Sequence, residues 1–207
     1  MYARSSTIHA QPLSLDEGIS FMREQTMPAL MEIPGCIGLS LLVDREFGHC
    51  IATSSWESEE AMRASADAAS SLRMMATGRF AGTIDKIEEW EIAVLHREHL
   101  ATGGSCVRCT WLRCQMGGME QLIDTFVHTV LPEVEGMDGF CSASMFVDRS
   151  VGRAVTSVTY DSRQAMEASR DAAMTLRRTT ARDTKVDILD VAEFDLLVAH
   201  LRVPEMA

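Results

Sequence analysis

Short strand-like runs and helical stripes alternate along the first half of the chain. Residues 36–44 (CIGLSLLVD) and 49–56 (HCIATSSW) read as two strands. The connector Arg45-Glu46-Phe47-Gly48 has hairpin length and contains a glycine, which predicts an antiparallel pair. A mixed extended run over 3–11 predicts a first strand, and 84–96 (IDKIEEWEIAVLH) predicts a long last one. Two helices are expected between these strands. The first opens at Pro12-Leu-Ser-Leu-Asp-Glu, with Ser14 as a candidate cap and Asp16 and Glu17 suited to the positive N-terminal end. Ile19, Met22, Met27 and Leu30 form its apolar stripe, and Pro28 predicts an end or a bend. The second runs over Ser58–Arg73 behind a Ser58 cap. Residues 76–82, with Gly78 and Gly82, read as a loop.

That order is β-α-β-β-α-β, the ferredoxin-like unit, and it occurs twice. Ser58-Glu-Glu-Ala-Met-Arg-Ala-Ser-Ala-Asp-Ala-Ala-Ser-Ser-Leu-Arg73 recurs without a gap as Ser162-Arg-Gln-Ala-Met-Glu-Ala-Ser-Arg-Asp-Ala-Ala-Met-Thr-Leu-Arg177. The same offset pairs Arg4 with Arg108, Pro28 with Pro132, Gly35 with Gly139, Val43-Asp-Arg45 with Val147-Asp-Arg149, Gly48 with Gly152, Glu89 with Glu193 and His96 with His200. We expect a first repeat over 1–98, a flexible seam over 99–105 (HLATGGS), and a second repeat over 106–207. A lone ferredoxin-like sheet leaves one face open, and a second copy can cover it. The expected class is therefore α+β, with two repeats packed sheet to sheet as an intramolecular pseudo-dimer.

The net charge of −11, with no run of Lys or Arg, argues against nucleic acid. The longest apolar runs, such as Trp90 to Leu95, are too short to span a bilayer, and the N-terminus lacks a signal-like apolar segment. A cytoplasmic protein is expected, with its six cysteines reduced. Cys106-Val-Arg-Cys109 with Cys114 has the look of a metal motif. On a strand, however, Cys106 and Cys109 point to opposite faces, so no metal is expected.

Trp56-Glu-Ser-Glu-Glu-Ala-Met62, entering a helix straight from a strand, resembles the antibiotic biosynthesis monooxygenase family, as does the turn Pro34-Gly35-Cys36-Ile37-Gly38. The resemblance extends over both halves. It implies the dimeric α+β barrel superfamily, with a ligand pocket between the helices and the sheet of each unit. It also implies a choice among cofactor-independent oxygenases acting on aromatic polyketides, haem-degrading enzymes, isomerases and members of no known activity. Haem-degrading relatives carry a Trp inside this helix and a His nine residues later. The matching positions here are Ser65 and Met74, and Ser169 and Arg178, so that chemistry is not expected.

On a helical wheel Ala61, Ser65, Ala68 and Leu72 form a narrow small-residue stripe, with Met62, Ala69 and Arg73 on its shoulder. The second copy repeats it with Ala165, Ser169, Ala172, Leu176, Met166, Ala173 and Arg177. Such a face suits close packing on a sheet and equally leaves room for a flat ligand. Candidate ligand-binding residues are Ser65, Met62, Ser169, Met166, Trp56 and Tyr160. Arg73 and Arg177 are candidates to hold an anionic oxygen, or else to offset a helix C-terminus. His96 and His200 are candidate bases. Asp67 and Asp171 fall on the solvated edge. Three functions stay open: a cofactor-independent monooxygenase acting on a small apolar or aromatic substrate, a non-catalytic binder of such a molecule, and a structural barrel. A further homodimer is left open.

Overall fold

A computed structural model describes residues 1–115 and 117–201, apart from the side chain of Leu201. Met116 and the end of the expected second repeat, 202–207, lie outside the described residues. The first repeat contains β1 (Tyr2–His9), α1 (Leu15–Phe21), α2 (Met27–Met31), β2 (Cys36–Asp44), β3 (His49–Trp56), α3 (Glu59–Ala64), α4 (Ala66–Arg79) and β4 (Thr83–Arg97). The second contains β5 (Cys106–Arg113), α5 (Met119–Thr125), α6 (Leu131–Glu135), β6 (Phe140–Asp148), β7 (Arg153–Tyr160), α7 (Arg163–Ala168), α8 (Arg170–Thr184) and β8 (Asp187–Leu201). The class is α+β. The hydrogen-bonded order β1-β3-β2-β8-β5-β7-β6-β4 closes as a barrel, the intramolecular α+β barrel expected from the duplication.

The chain forms two compact units, and both long strands are shared out between them. The first unit holds Met1–Trp90 and the part of β8 from Asp195 onward. In it β1 runs antiparallel to β3, from Tyr2↔Trp56 to His9↔His49. There β2 pairs with β3 on one side and with β8 on the other, from Gly38↔Leu201 to Val43↔Asp195. Its core gathers Ile8, Leu15, Ile19, Met22, Leu39, Trp56, Met62 and Phe80. The second unit holds Glu91–Phe194. There β5 pairs with β7, and β6 lies between β7 and the last part of β4. Its core gathers Leu112, Leu122, Phe126, Leu131, Phe140 and Met145.

Four local features differ from the pattern expected of the sequence. Ser14 makes no side-chain cap; it ends a 3₁₀ turn, Pro12–Ser14, that leads into α1. Pro28 does not end its helix. A π-helical turn over Met22–Thr26, in which the Met27 N–H reaches the Met22 carbonyl, precedes α2 and accommodates the residue that lacks a donor. Phe126–Val130 does the same ahead of Pro132. The segment 76–82 is not a loop throughout, because α4 continues to Arg79 with Gly78 inside it. The duplicated helix is also not continuous: Ser65 ends α3 and starts α4, and Ser169 does the same between α7 and α8. The caps at Ser58 and Ser162 are made as expected, each accepting from the N–H three residues on.

A buried arginine fixes each break. Arg4 is 5% exposed, and its Nε and Nη2 donate to Glu89 Oε1 at 3.0 and 2.8 Å. Its Nη1 donates to Ser65 Oγ (3.2 Å), and its Nη2 also donates to the Met62 carbonyl (2.7 Å). That carbonyl, near the end of α3, accepts from Ser65 Oγ as well (2.7 Å). Arg108 repeats the set with Glu193 (3.0 Å), Ser169 Oγ (3.0 Å) and the Met166 carbonyl (2.6 Å). One side chain thus ties the first strand of a repeat to its last strand and to its helix pair.

Gly35 and Gly139 explain another duplicated match. Each sits at positive φ (+79° and +74°), and a Cβ there would lie 2.5 or 2.6 Å from the Cβ of Ala61 or Ala165. The small residue at 61 and 165 therefore receives this turn. Gly18 has no such twin, since Leu122 stands at its equivalent. A Cβ at Gly18 would meet the buried Phe80 ring at 2.1 Å. We expect Gly18→Ala to destabilise the protein by about 1–3 kcal/mol through overpacking, against the roughly 1 kcal/mol that alanine usually adds to a helix. A thermal melt checks the sign. Arg108→Met should cost about 1–3 kcal/mol, because it strips a charge-assisted set from a buried carbonyl and a carboxylate, read as a lower urea midpoint at unchanged m.

Candidate functional site

In each unit a cavity lies between the helices and the sheet. The second unit's cavity is about 80 Å³. Its sheet wall is Arg108, Thr110 and Leu112 of β5 with Thr156, Val158 and Tyr160 of β7. Its helical wall includes Leu122, Phe126, Val130, Val134, Leu176 and Arg177, and Thr180, Thr184 and Val186 close the far end. The first unit's cavity is about 40 Å³ and carries Arg4, Ser6, Thr26, Ser54, Leu72 and Arg73 among its lining. One water needs roughly 10–15 Å³ on such a measure, so both spaces exceed a single-water void.

Two of the expected anion holders line these cavities, Arg73 in the first and Arg177 in the second. Both are half-buried, and neither makes a side-chain hydrogen bond or ion pair among the described residues. Burial disfavours the charge on each and lowers its pKa. The neighbouring buried arginine lowers it further, Arg4 for Arg73 and Arg108 for Arg177. Glu89 and Glu193 act in the opposite sense. Each is a cation held near another cation, with donors left to offer.

Tyr160 also lines the second cavity. It is fully buried under the Arg108 guanidinium, 5.6 Å from the ring centroid, and its hydroxyl points at Met137 Sδ (3.7 Å). Its counterpart Trp56 is equally buried, donates to Ser54 Oγ (3.0 Å), and does not line the first cavity. Met62, Ser65, Met166 and Ser169 are buried but do not line the cavities; both serines are engaged by the buried arginines. Ser65 and Ser169 instead donate to the Met62 and Met166 carbonyls.

The inward face of the duplicated helix is not the stripe drawn on a continuous wheel. Ala68 and Ala172 are exposed, and Ala69, Leu72, Arg73 and Ala76 face the first cavity. The break at Ser65 resets the phase of α4, which turns the expected shoulder into the lining.

The histidines stand apart from the arginines of their own repeats. His96 lies on the part of β4 that belongs to the second unit, 2.5 Å from Glu135 and stacked on Phe140. His200 lies on the part of β8 that belongs to the first unit, opposite Leu39. Neither lines a cavity, and no His, Asp or Glu is among the residues lining either one. Arg4, Arg108, Glu89 and Glu193 were visible in the sequence only as matched positions. Their partners lie 85 residues away, beyond any local pattern.

None of the six cysteines is in a disulfide, and all six are buried. The thiols of the apparent metal motif go to separate partners: Cys106 to the Gly104 carbonyl, Cys109 to Ser157 and Cys114 to the Gly152 carbonyl. Burial pushes Cys109 up to about 12. Among the described residues, His99, Cys141 and Asp161 bring donor atoms within 4.8 Å of one another. They are arranged as an ion pair, His99 Nε2 to Asp161 Oδ1 at 2.8 Å, with the thiol directed at the His99 carbonyl. The Asp161 hydrogen bond raises the His99 pKa, while burial raises that of Cys141. No helix of the described residues is long and apolar enough to cross a membrane.

No family model matches the chain. Among solved structures, an anthrone oxidase-like protein aligns over 97% of this chain and 92% of its own, with a TM-score of 0.66 at 14% identity. A ferredoxin-fold protein of Listeria monocytogenes, related to antibiotic biosynthesis monooxygenases, aligns over 95% of both chains with a TM-score of 0.53 at 8% identity. A heme-degrading enzyme of the same species covers 94% of this chain and 99% of its own, with a TM-score of 0.53 at 8% identity. These likenesses establish a shared fold, the one the residues around Trp56 and Gly35 suggested. In sequence the chain is 52% identical over 207 residues to the uncharacterized protein Rv2558 of Mycobacterium tuberculosis (strain ATCC 25618 / H37Rv), spanning all of this chain and 87% of that protein. It is 50% identical over 206 residues to the uncharacterized protein Rv2557 of the same strain, spanning all of this chain and 92% of that protein. The chain belongs to the family of these two mycobacterial proteins, built on the barrel fold of the antibiotic biosynthesis monooxygenase-like proteins.

Proposed function

We propose that the chain is an oxidative enzyme of the antibiotic biosynthesis monooxygenase type, acting without a cofactor on a small apolar or aromatic substrate in the cavity of the second repeat. The observation that carries this reading is Arg177: a half-buried guanidinium without a partner, on the wall of an otherwise largely apolar cavity. A substrate enolate or phenolate supplies the counter-ion that Arg177 lacks. Apolar walls keep water from the anion, so that dioxygen is the acceptor that reaches it. The neighbours named for anthrone oxidase-like and monooxygenase-related proteins support this chemistry as the class to try first.

The cavity has no carboxylate or imidazole lining it, and Tyr160 is its only hydroxyl-bearing aromatic. The substrate therefore arrives already ionised, or acidic enough to give its proton to solvent. The same gap favours a second reading, in which the cavity binds an aromatic anion and carries out no reaction.

Two measurements follow. With anthrone as substrate, the protein should accelerate dioxygen uptake over the spontaneous rate, and Arg177→Met should remove most of the acceleration. No acceleration, together with intact binding of an aromatic anion under nitrogen, would leave the binding reading standing instead. With 1-naphthoate as an unreactive probe, Arg177→Met should weaken binding about 10- to 100-fold, the worth of a hydrogen bond to a charged group. Its melting temperature should stay level or rise, because a cation disfavoured by burial has been removed. A drop in stability with unchanged affinity would make Arg177 a structural residue.

A further inference from the structure

We propose that only the second repeat takes the ligand, and that Phe80, seated over Gly18, is the plug that closes the first. This rests on the second repeat's cavity being a ligand site, as argued above, and adds which copy works and what decides it. Of the residues lining the first cavity, all but Leu39 have a counterpart in the second. The second cavity then extends further, past Leu122, Ala181, Thr184 and Val186, with Tyr160 added at the other end. Four of those five residues cluster where the first repeat places Gly18, Thr77, Phe80 and Gly82.

The exchange is one of volume. Phe80 is fully buried, and its ring lies so close to α1 that no side chain fits at Gly18. In the second repeat the aromatic is replaced by Thr184 and the glycine by Leu122, both of which face open space in the cavity. The two pairs are complementary solutions at one spot. A large residue from the helix end over a glycine fills it, whereas a small residue opposite a leucine leaves it open. The cavity falls from about 80 to about 40 Å³ accordingly.

The walls differ in where their hydroxyls sit. Where the second cavity has Val130 and Val158, the first has Thr26 and Ser54, whereas Thr156 and Thr180 of the second stand where the first has Ala52 and Ala76. Thr26 Oγ1 is buried and has no hydrogen-bond partner among the described residues. An apolar ligand there would leave it unsatisfied, at a cost that a valine avoids. Both repeats keep the unpartnered arginine, so the anion-holding group does not separate them; the shape of the space does.

The test exchanges the two pairs. Gly18→Leu with Phe80→Thr opens the first repeat, and Leu122→Gly with Thr184→Phe closes the second. Calorimetric titration with 1-naphthoate should give one site per wild-type chain, two in the opened variant and none in the closed one. Two equal sites in the wild type, or unchanged binding in the closed variant, would overturn the proposal. Xenon separates this from the reading it rests on, because xenon enters apolar cavities whatever their function. Crystals pressurised with xenon should show it mainly in the second repeat of the wild type and in both repeats of the opened variant. Equal xenon in both wild-type repeats rejects the plug. Xenon confined to the second repeat, with no naphthoate bound, rejects the ligand and leaves the plug.

Discussion

A guanidinium buried beneath the first strand of each repeat needs a counter-charge and a full set of acceptors, and the surrounding structure is arranged to supply them. Arg4 and Arg108 find the carboxylate on the last strand, a serine hydroxyl at the helix break, and the carbonyl that the break exposes. Removing the carboxylate would leave a buried guanidinium without its counter-charge, which costs far more than a surface ion pair contributes. The break between the two helices is therefore a constraint, not an irregularity. It sets the rotation of α4 and α8, and that rotation decides which side chains look into the cavities.

The local elements were legible in the residues because they obey local rules. Strand runs, the hairpin connector and the serine caps at 58 and 162 rest on neighbours a few positions apart. The duplication supplied the larger architecture, since a sheet that occurs twice in one chain can close on itself. What local rules could not reach was set by distant partners. Nothing near Ser65 announces that Arg4 will seize it, so the wheel was drawn through a helix that in fact stops there. The small residues at 61 and 165 looked like room for a ligand, but they make room for the glycine turn at 35 and 139. That Arg73 and Arg177 line the cavities was legible because a charged residue on an inward shoulder is conspicuous wherever the phase falls. His96 and His200 stand apart from these arginines for a topological reason: β4 and β8 carry each into the unit that does not hold the arginine of its own repeat.

The two repeats spend the same fold differently. A half-buried cation without a counter-ion is a liability to stability, and both copies keep one. That shared feature alone cannot say where chemistry occurs. The difference lies in the space the cation faces. In the first repeat it looks onto a small cavity beside a buried aromatic ring; in the second it looks onto a larger one. A charge acts most strongly where water is excluded and a partner has room to approach, and the larger cavity of the second repeat leaves more of that room. What separates the two repeats is thus less which polar residues were duplicated than which of the residues around them were allowed to diverge.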